Sequence, residues 1–168
     1  MKITNSTIAD IPEIFRMYAL ATAYQSTKNC AQWPEFSLEL VTNEVEEDRQ
    51  WKLTIGEEVA CVWAVTFKDP EIGGEKDTDK AMYIHRIATN PDFRGRQLVE
   101  HIVSWSKAFA KDNLLDYIRM DTVGENLGLI SHYKKCGFQF LGLSKLKDTK
   151  ALPAHYHNAT VSLFQIAL

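Results

Sequence analysis

The feature that most restricts the fold of this sequence is a strand, a turn and a long amphipathic helix that follow one another between residues 81 and 110. Ala81–Thr89 has the composition of a strand, and Pro91 ends it. Gly95–Ala110 then repeats apolar residues at helical spacing, at Leu98, Val99, Ile102, Val103 and Phe109. The pattern predicts a strand that leads through the turn 90–96 into a helix with one broad apolar face.

Six further strands and three further helices are expected around this unit. The strands are expected at Ile3–Ser6, Gln50–Ile55, Val59–Phe67, Asp116–Asp121, Phe138–Leu143 and Ala159–Ala167. The helices are expected after the capping sequence Asp10-Ile11-Pro12-Glu13, after the cap Ser37, and at Asn126–Cys136. Strands that begin as a hairpin-linked block and later alternate with helices imply an α/β (α+β) architecture, a mixed sheet with helices on both faces.

Length and charge favour one domain, residues 1–168, with a small or local partner. A chain of 168 residues buries enough surface for one core, and its 19 basic and 22 acidic residues give a net charge of −3. That balance provides no broad basic surface for nucleic acid, and no apolar run approaches the roughly 20 residues that cross a membrane. Cys30, Cys61 and Cys136 have no paired spacing, so we expect reduced thiols and a cytoplasmic protein.

Two segments before the hairpin offer candidate contacts for a substrate. The second predicted helix ends in four acidic side chains, at Glu44, Glu46, Glu47 and Asp48. They form either a solvated helix end or an acidic wall that attracts a cation. The preceding loop carries Trp33 and Phe36, which either contact the apolar body of a substrate or pack in the core.

The turn between Thr89 and the following helix is a candidate anion site. About four backbone N–H groups at a helix start lack partners within the helix, and that end carries partial positive charge. Arg94 and Arg96 add two full charges beside it. A surface turn without a ligand is the alternative for the arginines alone.

Two motifs in register resemble the GNAT superfamily of N-acetyltransferases. Residues 83–96, Tyr-Ile-His-Arg-Ile-Ala-Thr-Asn-Pro-Asp-Phe-Arg-Gly-Arg, look like the family's fourth strand and the start of its coenzyme A signature. Asn126 and then residues 132–138, His-Tyr-Lys-Lys-Cys-Gly-Phe, look like its second motif. The order of elements agrees over nearly the whole chain.

The resemblance implies the acyl-CoA N-acyltransferase fold, with a mixed, mostly antiparallel central sheet of about seven strands and helices on both faces. It also implies that CoA binds between two splayed parallel strands, with its pyrophosphate on the turn. The residues at the matching cofactor positions are Ile87, Ala88, Thr89, Arg94, Gly95, Arg96, Gln97, Leu98, Val99, Asn126 and Tyr133.

The turn departs from the family's pattern at two positions. Gln97 and Val99 stand where the pattern has glycine and a small residue. Glycine serves there for close approach of the backbone to the pyrophosphate, but every residue except proline keeps its N–H donor. We therefore expect CoA to bind, with an altered turn or weaker affinity.

Catalysis of acetyl transfer needs a base for the amine and a group near the departing thiolate. His85 is the first candidate for the base, because it lies on the strand that leads into the CoA site, and a histidine bonded within the sheet is the alternative. Tyr133 falls at the family's tyrosine beside the sulfur, where it would hydrogen-bond to the thiolate or protonate it. Tyr83 shares the face of His85 by strand alternation, and there it either relays a proton or packs.

The resulting hypothesis is an acetyl-CoA-dependent N-acetyltransferase that acetylates a primary amine of a small molecule or peptide. The alternative is a CoA-binding module of the same fold that acts as a ligand sensor without transferring an acyl group. His155 and His157 lack the neighbouring ligands of a metal site, so we expect no metal. A homodimer is compatible with the exposed edges of such a sheet.

Overall fold

The computed structural model describes residues 1–28, 31–146 and 154–168, so Cys30 lies outside the described part of the chain. The strands are β1 Lys2–Asn5, β2 Gln50–Ile55, β3 Glu58–Thr66, β4 Ala81–Thr89, β5 Tyr117–Val123, β6 Gln139–Lys145 and β7 Thr160–Ala167. The helices are α1 Ile11–Thr27, α2 Leu38–Glu46, α3 Pro70–Gly73, α4 Leu98–Asp112 and α5 Leu127–Lys135. Every strand predicted from the sequence is present within a few residues of its expected bounds.

The strands form one sheet in the order β1-β2-β3-β4-β5-β7-β6, and only β4 and β5 run parallel. These two strands pair only from Ala81 to Tyr83, opposite Tyr117 to Arg119. Beyond those residues β4 continues along β3 and β5 continues along β7, so the two strands diverge. The divergence leaves the backbone groups by which β4 and β5 face each other without a partner strand. It also opens a cleft in the middle of the sheet.

A bulge in β4 lies at the edge of this cleft. Ala64 pairs with His85 and Val62 pairs with Ala88, so β4 contains one residue more than β3 across this step. Arg86 has φ of 52°, a left-handed conformation that is uncommon outside glycine. A bulge re-aims the side chains around it, here those of His85 and Arg86.

Two apolar cores cover the two faces of the sheet and confirm the predicted layers. On one face α4 and α5 pack their buried sides, including Ile102, Val103 and Ile130, against the sheet. On the other face α1 and α2 bury Ile14 and Val41. The predicted mixed, mostly antiparallel sheet with helices on both faces is therefore confirmed.

Three local features differ from the predictions. The Asp10 carboxylate does not cap α1; it accepts hydrogen bonds from the backbone N–H and the hydroxyl of Thr7 in a capping box one turn earlier. Helix α4 begins at Leu98 rather than Gly95, because Gly95 and Gln97 both have positive φ. The sequence predicts no helix between residues 68 and 80, but this segment contains the short helix α3, which Asp69 caps.

The described residues include no helix with the length and apolar character needed to cross a membrane. Cys61 and Cys136 are buried free thiols. Burial raises the pKa of Cys61 to about 12, so this thiol stays protonated and packs as a small apolar group.

Candidate active site

The cleft between β4 and β5 is part of a cavity of about 1590 Å³. Its wall combines the diverging ends of both strands, the turn before α4, the first residues of α4 and α5, and the loop after β3. The motif residues in the wall are His85, Ile87, Thr89, Arg94, Gly95, Arg96, Gln97, Leu98, Val99, Asn126 and Tyr133. Ala88 is not among them, because its side chain is fully buried in the core beneath α1 and α2.

The turn 94–97, which the sequence predicts to be an anion site, lies at one end of the cavity. Gly95 has φ of 78° and Gln97, the N-cap of α4, has φ of 55°. These left-handed residues direct the chain into α4 so that its unpaired N–H groups face the cavity end. Leu98 and Val99 are buried beneath the turn as the first two residues of the helix.

Arg94 and Arg96 are exposed on this turn. The Arg94 guanidinium lies 3.8 Å from the centre of the Tyr24 ring, and that of Arg96 lies 5.1 Å from the centre of Phe93. In the part of the chain that the structure describes, neither arginine forms an ion pair with a carboxylate. Their charges are therefore held in place by aromatic rings and are not neutralised by a carboxylate of the described residues.

The conformation of Gln97 explains why glycine is usual at this position, and it predicts a stability effect. A left-handed residue other than glycine is strained by roughly 1–2 kcal/mol. Because glycine also loses more chain entropy on folding, we expect Gln97→Gly to raise the free energy of unfolding by about 0.5–1 kcal/mol in urea denaturation. Lys107→Gly, at an exposed right-handed position of α4, should instead lower it by about 1 kcal/mol. Equal destabilisation by both changes would contradict the strain at Gln97.

Asn126 lies where β5 gives way to α5 and serves as the N-cap of that helix. Its Oδ1 accepts a hydrogen bond of 3.0 Å from the backbone N–H of Leu129. The cap fixes the Asn126 side chain in the cavity wall opposite the turn 94–97.

His85 lies in the cavity wall beside the bulge. Its Nε2 lies 3.2 Å from Oδ2 of Asp69 and 3.4 Å from Oγ1 of Thr66. Asp69 is itself fixed, because its Oδ1 accepts the N–H of Ile72 at 3.1 Å and caps α3. The carboxylate thus orients the imidazole through one ring nitrogen.

The two predicted tyrosines have different positions. Tyr133 lies in the cavity wall, with its ring 5.3 Å from that of Phe164, and burial raises its pKa well above the usual value. Tyr83 is buried outside the wall, and its hydroxyl accepts a hydrogen bond of 3.2 Å from Arg119. Of the two possibilities for Tyr83, relay or packing, the structure places it in packing.

The end of the cavity away from the turn is aromatic. Trp33 and Phe36 line it, and both also pack against Tyr18, with ring centres 5.8 and 5.2 Å away. Arg86 lies 5.0 Å from the centre of Phe36. Trp33 and Phe36 therefore pack in the core and also line the cavity. The two positions predicted for these rings do not exclude each other.

The acidic run at the end of α2 divides into two parts. Glu46, Glu47 and Asp48 are exposed, as expected for a solvated helix end. Glu44 is only 2% exposed and accepts a hydrogen bond from Arg86 within the cavity wall. Glu44 is therefore one half of a buried ion pair. It belongs neither to a solvated helix end nor to a wall of unpaired acidic side chains.

The profile of the Acetyltransferase (GNAT) family matches residues 16–138, which is most of the chain. The chain belongs to the GNAT family of acetyltransferases. The "Uncharacterized N-acetyltransferase YesJ" of Bacillus subtilis (strain 168) is 24% identical over 165 residues, which cover 84% of this chain and 89% of YesJ.

Solved structures of GNAT proteins share the fold. A GNAT-family acetyltransferase from Listeria monocytogenes superposes with a TM-score of 0.78 at 19% identity, over 99% of this chain and 94% of that chain. A Bacillus subtilis acetyltransferase in complex with CoA superposes with a TM-score of 0.54 at 17% identity, over 79% and 84% of the two chains.

Four residues in the cavity wall of this chain were not identified as site residues from the sequence: Asp69, Asp121, His155 and Tyr156. Asp121 was identified only as the end of a predicted strand, and His155 only as a histidine without the neighbouring ligands of a metal site. Their chemistry depends on burial and on neighbours far away in the sequence, for which single residues carry no signal. Within residues 1–28, 31–146 and 154–168, no three His, Cys, Asp or Glu side chains are grouped to hold a metal ion.

Proposed function

We propose that this GNAT acetyltransferase, acting as one domain over residues 1–168, transfers the acetyl group of acetyl-CoA to a primary amine of a small molecule or peptide. The observation that carries the proposal is one continuous cavity. It extends from the anion-binding turn 94–97 to the hydrogen-bonded pair of His85 and Asp69. One end suits a phosphorylated cosubstrate and the other end holds a base.

The residues at the turn fit CoA. The N–H groups at the start of α4 and the charges of Arg94 and Arg96 match a pyrophosphate. The backbone of β4 at Ile87 and Thr89, free of a partner strand on the β5 side, offers hydrogen bonds to an extended amide-containing arm. Acetyl-CoA supplies a thioester, whose carbonyl carbon the amine attacks directly.

His85 and Asp69 supply the base that the amine requires. An alkylamine with a pKa near about 10.4 has on the order of one molecule in a thousand in its neutral, nucleophilic form at pH 7. When Nε2 of His85 donates its proton to Asp69, Nδ1 carries a lone pair that can accept a proton from the amine. The Asp69 carboxylate then stabilises the imidazolium that forms.

Tyr133 supplies a hydrogen bond at the other reacting atom. Because burial raises its pKa, the phenol keeps its proton and donates to a thiolate more readily than it releases the proton. Of the two roles predicted for Tyr133, a hydrogen bond to the thiolate and protonation of it, the raised pKa favours the hydrogen bond.

The test of the proposal is release of CoA thiol from acetyl-CoA, measured across a panel of primary amines. We expect thiol release only when an amine is present.

In a separate assay, acetyl-CoA at 100 times its dissociation constant should add about 2.7 kcal/mol to the free energy of unfolding, a rise of roughly 5–10 °C in Tm. Tyr133→Phe should slow thiol release while it binds CoA as the wild type does.

The outcomes separate the two candidate functions. Stabilisation by CoA without thiol release for any amine would replace the transferase proposal by the ligand-sensor alternative. Absence of both effects would remove both candidates. Unchanged turnover of the Tyr133→Phe variant would remove the role of Tyr133 alone.

A further inference from the structure

A carboxylate that the proposed reaction does not use lies in the cavity wall. Asp121 is near the end of β5, where that strand has diverged from β4. The side chain of Tyr156 lies beside this carboxylate. Its Oδ2 is buried and has no hydrogen-bond partner among the described residues. A buried carboxylate oxygen without a donor is unfavourable unless a ligand supplies one.

The groups around Asp121 do not provide a free counter-charge. The neighbouring ionisable groups are His85, Asp69, Tyr156 and Tyr133, and Arg86 and His155 lie in the same cavity wall. Arg86 is paired with Glu44, and His85 is bonded to Asp69. Burial and the nearby Arg86 charge lower the pKa of His155 to about 4, so this ring is neutral at pH 7. No Lys or Arg in the described part of the chain forms an ion pair with Asp121.

The carboxylate is nevertheless charged under ordinary conditions. Burial raises the pKa of Asp121 to about 6, so most molecules carry the negative charge at pH 7. Asp69 places a second carboxylate in the same wall. This end of the cavity is therefore anionic, and no Lys or Arg of the described residues balances the charge of Asp121. A cationic substrate would supply the missing positive charge.

We propose that Asp121 binds the ammonium group of the acceptor and selects amines that are cations at neutral pH. The inference rests on the proposed function and names its acceptor as a cationic alkylamine. An ammonium group against Asp121 donates to the orphan Oδ2 and supplies the missing charge. One N–H bond of the ammonium then breaks, its proton passes to Nδ1 of His85, and the electron pair stays on nitrogen for attack on the thioester.

The test compares charged acceptors with neutral analogues in a binding experiment that requires no turnover. By calorimetry, 2-phenylethylamine, n-hexylamine and 1,4-diaminobutane are titrated into the protein with and without CoA, beside 2-phenylethanol, 1-hexanol and 1,4-butanediol. We expect at least one amine to bind more tightly than its alcohol.

Asp121→Asn should weaken amine binding by about tenfold to a hundredfold and leave alcohol binding unchanged. In the wild type, amine affinity should fall as the pH drops through about 6, because Asp121 takes up a proton, and this step should vanish in Asp121→Asn.

Two controls keep the result interpretable. Asp112→Asn makes the same chemical change at an exposed position of α4 and should keep wild-type affinities and the pH step. Asp121→Asn removes a buried charge and should raise Tm, so lost binding cannot be ascribed to unfolding. The proposal is overturned if no amine binds better than its alcohol, or if Asp121→Asn retains both amine affinity and the pH step. Selective amine binding without thiol release would support the inference while contradicting the proposed transferase.

Discussion

Replacing His85 by glutamine is expected to lower kcat for amine acetylation by about 10² to 10⁴. Glutamine keeps a hydrogen-bonding side chain beside Asp69 but cannot accept the proton of the amine. Because His85 lies in the wall away from the turn 94–97, the affinity for acetyl-CoA should stay within about twofold. Steady-state thiol release and calorimetric titration of CoA measure the two effects separately.

His101→Gln is the matched control for this prediction. His101 is an exposed residue of α4 outside the cavity wall, so its replacement should leave kcat unchanged. Asp69→Asn should have an intermediate effect, because it keeps the cap on α3 and removes the charge that stabilises the imidazolium. A variant with glutamine at position 85 that keeps most of the wild-type kcat would exclude His85 as the base.

Replacing Glu44 by alanine is expected to lower the free energy of unfolding by about 3–5 kcal/mol. Glu44 pairs with Arg86 in the wall, and the Arg86 Nε donates to the Tyr18 hydroxyl at 3.3 Å. Without the carboxylate, a guanidinium that is only 15% exposed keeps its charge and loses its counter-ion. Because α2, the bulge of β4 and α1 meet at this pair, the loss should reduce the stability of the whole cavity.

Urea denaturation of matched variants tests this expectation. Glu46→Ala removes an exposed carboxylate from the same helix and should change stability by no more than about 0.5 kcal/mol. The double variant Glu44→Leu and Arg86→Met replaces the pair by apolar groups and should recover most of the loss. Equal stability of the Glu44→Ala and Glu46→Ala proteins would show that the buried pair is not a structural requirement.

Local patterns were sufficient to predict the strand, turn and helix caps at one end of the cavity. The strand–turn–helix unit and the cap at Asn126 depend on residues within one turn of each other. The start of α4 was placed three residues early, because helical periodicity cannot detect that Gln97 is left-handed. That conformation is set by how the turn must join β4 to a helix already packed on the sheet.

The acceptor end could be predicted only in part. His85 was found because it lies on the strand of a motif, whereas its partner Asp69 lies in a segment for which the sequence predicts no helix or strand. Asp121 and Tyr156 are 35 residues apart in the chain and meet only because β7 pairs with β5. A sequence pattern has no information on such pairing until the order of strands is known.

The sequence by itself determined the layers of helices and strands and the anion-binding turn, because periodicity, caps and helix starts are properties of neighbouring residues. Only the tertiary structure decided which carboxylates face the cavity and which are neutralised. Glu44 is paired, Asp69 orients His85, and Asp121 has no counter-cation among the described residues. These differences arise from burial and long-range pairing, which set the free energy of a charge but leave no trace in its local sequence.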